Sequence, residues 1–381
     1  MKDRVAVIGV GCTKFGERYD RGYEELICDA AFAAYEDAGV DPTAIEAGYL
    51  GTYLPGPGGG KSATSLADAL RLYGRPITRV ENYCATGTDA FRNACLAVAA
   101  GVHDVVLVLG AEKLKDRGGR GIPRLGHPLL ARGNTAPGLF ALAANRYMHT
   151  FGLGRETLAK VAVKNHANGA KNEKAHLRSE ITVEQVLNAP IIAWPFGLFD
   201  CCPTTDGAAA AIVCRPELAK RFRKPAILVK AAALAVETGK PYFDPTFDYL
   251  GFRSTQKAAQ AAYTMAGITP RDIDFAEVHD CFTWTEISNT EDLGFCAKGE
   301  GGSLAEEGRT ALDGDIPINP SGGLKSFGHP IGASGVRMIY EVVTQLRGEA
   351  GARQVKNPRL GLAHNVGGPG AVSCVVVLGN A

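Results

Sequence analysis

The chain lacks several features that would assign it to a special class of protein. Its 381 residues carry a formal net charge of only +1, so there is no overall attraction to nucleic acid or to an anionic membrane. No run approaches the roughly 18 apolar residues that a membrane-spanning helix needs. The ten cysteines form no Cys-x-x-Cys pair, which argues against a structural zinc site. We therefore expect no nucleic-acid partner, no membrane association and no bound metal.

The composition is that of an ordinary globular protein, with 46% hydrophobic and 21% charged residues. The first residues, MKDRVAVIGVGC, lack the charged, apolar and cleavage regions of an export signal and are typical of a first strand. We expect a cytoplasmic protein. Its length allows two halves or domains.

An internal repeat with an offset of 228 residues supports two related halves. Residues 29–45 (DAAFAAYEDAGVDPTAI) and 257–273 (KAAQAAYTMAGITPRDI) are identical at nine of seventeen positions. Each copy predicts an alanine-rich helix that ends at a glycine, Gly39 or Gly267, and is followed by proline and a short apolar strand.

A second, weaker repeat relates two glycine-rich turns, each of which opens a helix. CATGTDAFR and HPIGASGVR match at the same offsets, with the pairs Cys84/His329, Gly87/Gly332 and Arg92/Arg337. The duplication therefore predicts that Cys84 and His329 stand at equivalent helix N-termini.

Strands that alternate with helices in two copies predict an α/β fold, with two similar sheet layers and helices between and outside them. Residues of about 113–205 have no counterpart in the second half and are predicted to form an inserted loop subdomain. The predicted division is residues 1–112 with 206–225 for the N-terminal half, and 226–381 for the C-terminal half.

Two residues at these turns are the strongest chemical candidates. A thiol at the start of a helix lies in the positive end of the helix dipole, which favours the thiolate, so Cys84 is a candidate nucleophile. The alternative is a small buried cysteine. His329, fixed in a Gly-His-Pro turn, is a candidate acid/base or oxyanion donor.

Two further segments place polar groups at strand ends. In FAEVHDCFTW, His279 and Cys281 are two residues apart, so on a strand they would face one cavity; a solvated strand end is the alternative. His364 precedes a glycine turn, with Gly367 and Gly368, whose bare amides would approach a ligand closely. A capped strand end is the alternative there.

A basic segment at residues 112–134 suggests binding of a phosphate-bearing ligand. Arg124 and Arg132 are the candidate contacts. A solvated surface loop explains the same charges equally well. Ser326 and Phe327, which directly precede the Gly-His-Pro turn, are further candidate contacts. Two glycine-rich segments, PGPGGGKS and GVGCTKFG, fail the spacing of phosphate and dinucleotide loops, so neither cofactor is implied.

Five motifs together resemble the thiolase superfamily along essentially the whole chain, and within it the sterol-carrier-protein-type and archaeal-type thiolases. They are NYCATGTDAF, KNHANGAKNEKAH, DCCPTTDGAAAAIV, HDCF and GHPIGASG. The resemblance implies a five-layer αβαβα thiolase fold, a dimer or higher oligomer, and acyl-CoA substrates with coenzyme A as co-substrate and no permanent cofactor.

The resemblance also implies roles. Cys84 would carry the acyl group as a thioester, and His329 would activate Cys84. The more familiar thiolases carry Asn-Glu-Ala-Phe in place of HDCF and Cys-x-Gly in place of residues 364–366. Cys281 is therefore the candidate for moving the substrate α-proton, His279 for the oxyanion contact, and the role of His364 is left open.

The implied reaction is a ping-pong thiolase reaction that cleaves or forms a 3-oxoacyl-CoA. Acetoacetyl-CoA is the default substrate, and aromatic 3-oxoacyl-CoAs such as benzoylsuccinyl-CoA fit the motifs equally well. A ketosynthase-like condensing enzyme and a non-catalytic acyl-CoA-binding subunit are the alternatives. The resemblance also implies a small zinc-ribbon and OB-fold protein as a partner.

Overall fold

A computed structural model describes residues 1–56, 59–117 and 135–380 of the chain. Two predicted coenzyme A contacts, Arg124 and Arg132, lie outside the described residues. No helix in the described part of the chain combines the length and the apolar character needed to cross a bilayer.

Strands and helices alternate over residues 6–113 and 206–277, as the sequence predicts, whereas three helices follow one another over residues 136–188 and four over residues 283–346. The strands are β1 (Ala6–Cys12), β2 (Ala47–Gly51), β3 (Ile77–Val80), β4 (Val105–Lys113), β5 (Ile191–Ala193), β6 (Phe196–Gly197), β7 (Asp206–Cys214), β8 (Ile227–Val236), β9 (Phe275–Glu277), β10 (Leu360–Gly367) and β11 (Val372–Gly379). The helices are α1 (Tyr23–Ala38), α2 (Thr64–Leu70), α3 (Thr86–Ala99), α4 (Ala136–Phe151), α5 (Arg155–Ala170), α6 (Val183–Asn188), α7 (Pro216–Ala219), α8 (Arg253–Ala266), α9 (Thr283–Asp292), α10 (Gly301–Glu306), α11 (Gly323–Phe327) and α12 (Ile331–Leu346).

The two halves have matching strand topology. The order of the large sheet is β3-β2-β4-β7-β1-β8-β11-β10-β9. From β1 outward, the pairings with β7, β4 and β2 are antiparallel, antiparallel and parallel, and from β8 outward the pairings with β11, β10 and β9 have the same three senses. Only two residue pairs join β1 to β8, Ala6 with Leu228 and Val7 with Ile227. The halves are therefore two similar sheets that share one edge.

Helices lie between the halves and outside them, which gives the expected αβαβα layers. α3 and α12 pack on each other and on strands of both halves, whereas α1 covers β1, β4 and β7, and α8 covers β8 and β11. α1 and α8 end at Gly39 and Gly267 with φ of 67° and 66°, so both predicted helix ends are confirmed. The chain between β4 and β7 adds α4, α5, α6 and the β5–β6 hairpin.

Glycines let the two central helices approach backbone to backbone. A Cβ atom on Gly87 would lie 2.7 Å from the carbonyl oxygen of Gly332, and one on Gly335 would lie 2.2 Å from the amide nitrogen of Thr88. These distances are too short for any side chain, so the first turns of α3 and α12 meet only because both carry glycine. The contact brings the two helix N-termini together.

Candidate active site

Cys84, His279 and His329 form one compact cluster. The Cys84 sulfur and one ring nitrogen of each histidine all lie within 4.8 Å of one another. Cys84 comes just before α3, His279 just after β9, and His329 between α11 and α12. The structure therefore brings together three predicted site residues that are up to 245 positions apart in the chain. A thiol and two imidazoles are also ligands that zinc accepts.

The backbone before Cys84 is tightly held. Tyr83 has a left-handed φ of 49°, which is uncommon for a residue with a side chain. The Thr86 hydroxyl donates a hydrogen bond to the Tyr83 carbonyl oxygen (2.6 Å) and accepts one from the Asn82 amide (2.8 Å). Cys84 stays partly exposed at the start of the helix, so substrate can reach its thiol.

A hydrogen bond from the His329 ring to Ser334 leaves the Nε2 atom of His329 as a proton acceptor. Its Nδ1 atom lies 2.7 Å from the Ser334 hydroxyl oxygen, and that hydroxyl donates to the Pro330 carbonyl oxygen (3.0 Å). The hydroxyl proton is thus used, so Nδ1–H of His329 donates to the serine oxygen and Nε2 keeps its lone pair. Nε2 has no hydrogen-bond partner among the described residues. It is suited to take the proton of Cys84.

His279 has the opposite arrangement. Its Nδ1 atom lies 3.2 Å from the side-chain amide nitrogen of Asn365, which can only donate. Nδ1 therefore accepts, and Nε2 carries the ring proton. That Nε2–H also has no partner in the described ranges of the chain, and it is suited to donate to a substrate oxygen.

Both histidines are held neutral. Burial, with smaller contributions from His329, His364 and the Arg337 guanidinium, lowers the pKa of His279 well below its usual value. Burial and Arg337 lower the pKa of His329 to about 3. His329 is therefore neutral near pH 7, the form in which its Nε2 atom can accept a proton.

Cys281 lies in a loop beside the cluster and not on a strand. β9 ends at Glu277, so the predicted strand alternation does not explain where Cys281 points. Its sulfur lies 3.9 Å from the Thr285 hydroxyl, and its carbonyl oxygen accepts from the Cys202 amide (2.9 Å). Burial, helped by the nearby thiols of Cys202 and Cys84, raises the pKa of Cys281 well above its usual value. Cys281 is therefore a neutral thiol with a proton to give.

The carboxylate between His279 and Cys281 anchors their loop. Asp280 accepts hydrogen bonds from the amides of Leu324 (2.6 Å) and Lys325 (3.2 Å) in α11, and from the side chain of Asn165 (2.8 Å). Because α11 leads directly to His329, Asp280 ties the two histidine loops together. Burial and the charge of Glu286 raise the pKa of Asp280 to about 7.

The structure does not bring His364 into the cluster. Neighbouring residues of a strand point to opposite faces, and the His364 Nε2 atom lies 3.1 Å from the Thr255 hydroxyl in the outer helix α8. Asn365 takes the inner face instead. Sequence reasoning missed Asn365, although it shares strand parity with the predicted Gly367.

The two predicted glycines form the end of β10. A Cβ atom on Gly367 would lie 2.8 Å from the Asn82 carbonyl oxygen, so only glycine fits against the segment that leads to Cys84. Gly368 has a left-handed φ of 57°. The turn is thus close enough to the nucleophile loop to present backbone amides there.

The side chains of Ser326 and Phe327 face the protein interior and not a ligand. The Ser326 hydroxyl donates to the Leu177 carbonyl oxygen (2.6 Å), and the Phe327 ring packs on Phe15 (4.9 Å between centroids). Both residues are completely buried. Their sequence position next to the Gly-His-Pro turn does not give their side chains access to coenzyme A in this structure.

Family models match most of the chain, and relatives match nearly all of it. Residues 5–189 match the thiolase N-terminal domain, and residues 240–380 match the thiolase C-terminal domain-like family. The chain is 44% identical to an acetyl-CoA acetyltransferase of Methanothermobacter thermautotrophicus, over 98% of this chain and 99% of the relative. It is 34% identical to benzoylsuccinyl-CoA thiolase subunit BbsB of Thauera aromatica (97% and 96%) and 34% identical to human sterol carrier protein 2 (97% and 71%).

Solved structures agree with these matches. A structure described as Ltp2-ChsH2(DUF35) aldolase superposes with a TM-score of 0.88 at 27% identity, covering 100% of this chain and 98% of that chain. Human mitochondrial 3-ketoacyl-CoA thiolase superposes with a TM-score of 0.74 at 18% identity (100% and 99%), which shows the fold. Fold, site and relatives define an enzyme of the acyltransferase class. More particularly, the chain belongs to the thiolase family, and the predicted fold and family are confirmed.

Proposed function

We propose that this thiolase cleaves or forms a 3-oxoacyl-CoA through a thioester on Cys84. The observation that carries the proposal is the cluster itself, in which one thiol faces one histidine nitrogen with a free lone pair and another that carries a proton. Coenzyme A acts as co-substrate, and no permanent cofactor takes part.

In the cleaving direction, His329 Nε2 takes the proton of Cys84, and the thiolate sulfur attacks the 3-keto carbon of the substrate. The bond between C2 and C3 then breaks, leaving the acyl group on Cys84 and an enolate of the shorter acyl-CoA. His279 and His329 donate hydrogen bonds to the enolate oxygen while the Cys281 thiol gives its proton to C2.

In the second step the thiol of free coenzyme A gives its proton to the Cys281 thiolate left by the first step and attacks the Cys84 thioester, and Cys84 leaves with the proton that His329 took up. The backbone amides of Cys84 and of the turn at Gly367 and Gly368 hold the oxyanion of this step. The reverse sequence is a Claisen condensation.

Acetoacetyl-CoA is the substrate we propose first. The relative with 44% identity is named an acetyl-CoA acetyltransferase, whereas the relative named for benzoylsuccinyl-CoA is 34% identical. An aromatic 3-oxoacyl-CoA is therefore the second substrate to test.

We also propose assembly of this chain with itself and with a small zinc-ribbon and OB-fold protein. One relative is named as a subunit, and the name of one solved structure joins two components. β3 is an edge strand directly before the Cys84 loop, and pairing of such edges is a common basis for dimers. Light scattering of the pure chain, alone and mixed with the partner, tests both assemblies.

A cytoplasmic location is part of the same proposal. None of the ten cysteines is in a disulfide, which is typical of a reducing compartment. Fractionation of cells with an antibody to the chain tests the location.

Two other reactions have a specific observation behind them. A cysteine with two histidines also suits a decarboxylating condensing enzyme, which would release carbon dioxide from a malonyl thioester. The high TM-score with a structure named as an aldolase favours an aldol cleavage, which forms no acyl-enzyme. In neither reaction does Cys281 transfer a proton while Cys84 carries an acyl group.

Steady-state thiolysis tests the proposal. The protein is mixed with acetoacetyl-CoA and free coenzyme A, both varied, with Cys84→Ala as the inactive control. Parallel lines in double-reciprocal plots and production of acetyl-CoA alone support the thiolase reaction. With malonyl-CoA or a 3-hydroxyacyl-CoA supplied in place of acetoacetyl-CoA, carbon dioxide release or aldol products with no requirement for free coenzyme A would replace it with one of the alternatives.

A further inference from the structure

Asn365 lies behind His279 in a fully buried network. Its side-chain nitrogen lies 3.2 Å from His279 Nδ1 and 3.2 Å from the Met338 sulfur, and its oxygen lies 3.3 Å from the Thr88 hydroxyl. Asn365 and Thr88 have no exposed surface, and neither has Met338. The amide joins α3, α12 and the loop after β9 at the back of the cluster.

The contact with the Met338 sulfur decides which way the amide points. If oxygen and nitrogen were exchanged, the oxygen would lie against the electron pairs of the Met338 sulfur, which is a weak acceptor with no proton to offer. In the observed orientation the nitrogen donates to both acceptors, and the oxygen shares the proton of the Thr88 hydroxyl with the Ala85 carbonyl oxygen, which lies 2.9 Å from that hydroxyl. A donor therefore faces His279 Nδ1, and the ring proton belongs on Nε2.

We propose that Asn365 is a positioning residue that holds His279 in the Nε2–H form, so that His279 donates to substrate oxygen and is kept from binding a metal ion with Cys84 and His329. The donation to substrate rests on the proposed function. The ring form and the exclusion of metal do not.

The exclusion of metal follows from the ligand chemistry of histidine. A thiolate and two imidazoles within 4.8 Å of one another are a ready set for zinc or cobalt, and both Nε2 atoms lack protein partners in the part of the chain described. To bind through Nε2, however, His279 must carry its proton on Nδ1 and normally donates it to a carboxylate or carbonyl oxygen. Asn365 presents an N–H group to His279 Nδ1 instead. Metal binding through Nε2 would therefore place two N–H donors face to face with no acceptor between them.

The first test reads the ring form in the unaltered protein. Histidine is labelled with ¹⁵N, and two-bond proton–nitrogen correlations show which nitrogen of each neutral ring is protonated. His166 is an internal reference for the Nδ1–H form, because its Nδ1 lies 2.9 Å from the Ser179 carbonyl oxygen. The His279 signals are identified by their loss in His279→Gln. The Nε2–H pattern is expected for His279, and the Nδ1–H pattern would overturn the proposal.

The second test reverses the group that faces Nδ1. Asn365→Asp replaces the donor with an acceptor, and Asn145→Asp, in α4, is the matched control away from the cluster. We expect cobalt(II) to give a thiolate charge-transfer band with Asn365→Asp and none with the unaltered protein or the control. Equal spectra for the unaltered protein and Asn365→Asp, with or without a band, would contradict the proposal.

Both readouts are made without substrate, so a failure of the thiolase reaction leaves them unchanged. If Asn365→Asp does not fold, the nitrogen spectrum of the unaltered protein still decides the question. With substrate, Asn365→Asp should lower kcat by roughly 10²-fold, the usual effect of losing one oxyanion donor, with a smaller change in KM. If Asn365→Asp lost activity while His279 kept its Nε2–H form, Asn365 would not act by setting the ring form of His279.

Discussion

The rings of His279 and His329 lie edge to face, with 5.2 Å between their centroids and an angle of 84° between their planes. Each ring is held from behind by a different kind of group, an amide donor for His279 and a hydroxyl acceptor for His329. Two chemically identical side chains can therefore act in opposite ways, His279 as a donor to a substrate oxygen and His329 as the acceptor of the Cys84 proton.

The hydroxyl of Ser334 should matter for catalysis although it touches no substrate. Ser334→Ala removes the acceptor that keeps the proton of His329 on Nδ1, and one such hydrogen bond is worth about 1 kcal/mol. We expect kcat/KM for thiolysis to fall by roughly fivefold. Ser254→Ala, which removes another buried hydroxyl, bonded to Ser373, is the control and should leave kcat/KM unchanged. Equal effects of the two variants would argue against a catalytic role for Ser334.

The buried Cys281 and the partly buried Cys202 carry neighbouring thiols with different expected roles. Cys281→Ala removes the proton donor for the enolate and should lower kcat for thiolysis by about 10²-fold or more. Acylation of Cys84 by acetyl-CoA, which needs no proton at C2, should persist. Cys202→Ala makes the same chemical change beside it and should keep most of the activity. A Cys281→Ala variant with full kcat would remove Cys281 from the mechanism.

The contact between α3 and α12 should tolerate no added carbon atom. In Gly335→Ala the new Cβ would lie 2.2 Å from the Thr88 amide nitrogen, and overpacking of this kind costs typically 1–3 kcal/mol. Urea denaturation should show that loss, and thiolysis should fall because Cys84 and His329 are pushed apart. Gly239→Ala, where a Cβ meets nothing within 4 Å, is the control. Equal unfolding midpoints for the two variants would show that the helices adjust freely.

The buried histidines should make the folded state sensitive to acid. Burial lowers the pKa of His364 to about 3, whereas an unfolded histidine titrates near 6.5. Between these values the His364 site takes up a proton in the unfolded chain and not in the folded one, so His364 alone lowers the free energy of unfolding by about 1.4 kcal/mol per pH unit as the pH drops. Above about pH 6.5 His364 is neutral in both states and causes no such loss.

Removing His364 should reduce this slope. His364→Gln keeps a partner for Thr255 but cannot titrate, so urea unfolding between pH 6 and 4 should show a weaker pH dependence by that amount. Thiolysis at pH 7 should stay within a few-fold of the unaltered protein, because the ring lies on the outer face of β10. A large loss of kcat with unchanged stability would show that His364 takes part in catalysis.

The sequence predicted those features that depend on local patterns or on the duplication. The glycine ends of α1 and α8 follow from the left-handed cap that glycine allows, and the pairing of Cys84 with His329 follows from the repeat. The helix ends and the two helix N-termini recur in both halves because the two halves have the same fold.

Features that depend on which way a side chain points were harder to predict. Asn365 was not predicted because its neighbour His364 is the residue type that more often takes part in catalysis. Asn365 and Gly367 are two residues apart on β10, however, so they face the same side of the strand. Ser326 and Phe327 are buried by contacts with Leu177 and Phe15, which lie about 150 and 310 positions away, and no local pattern reveals such contacts.

The mass of the intact protein after mixing with acetoacetyl-CoA shows directly whether Cys84 forms a thioester. We expect an added acetyl group that is absent in Cys84→Ala and is removed by free coenzyme A. An acetyl group that persists in Cys84→Ala, or turnover of the substrate with no acylated protein at any time, would contradict a thioester on Cys84.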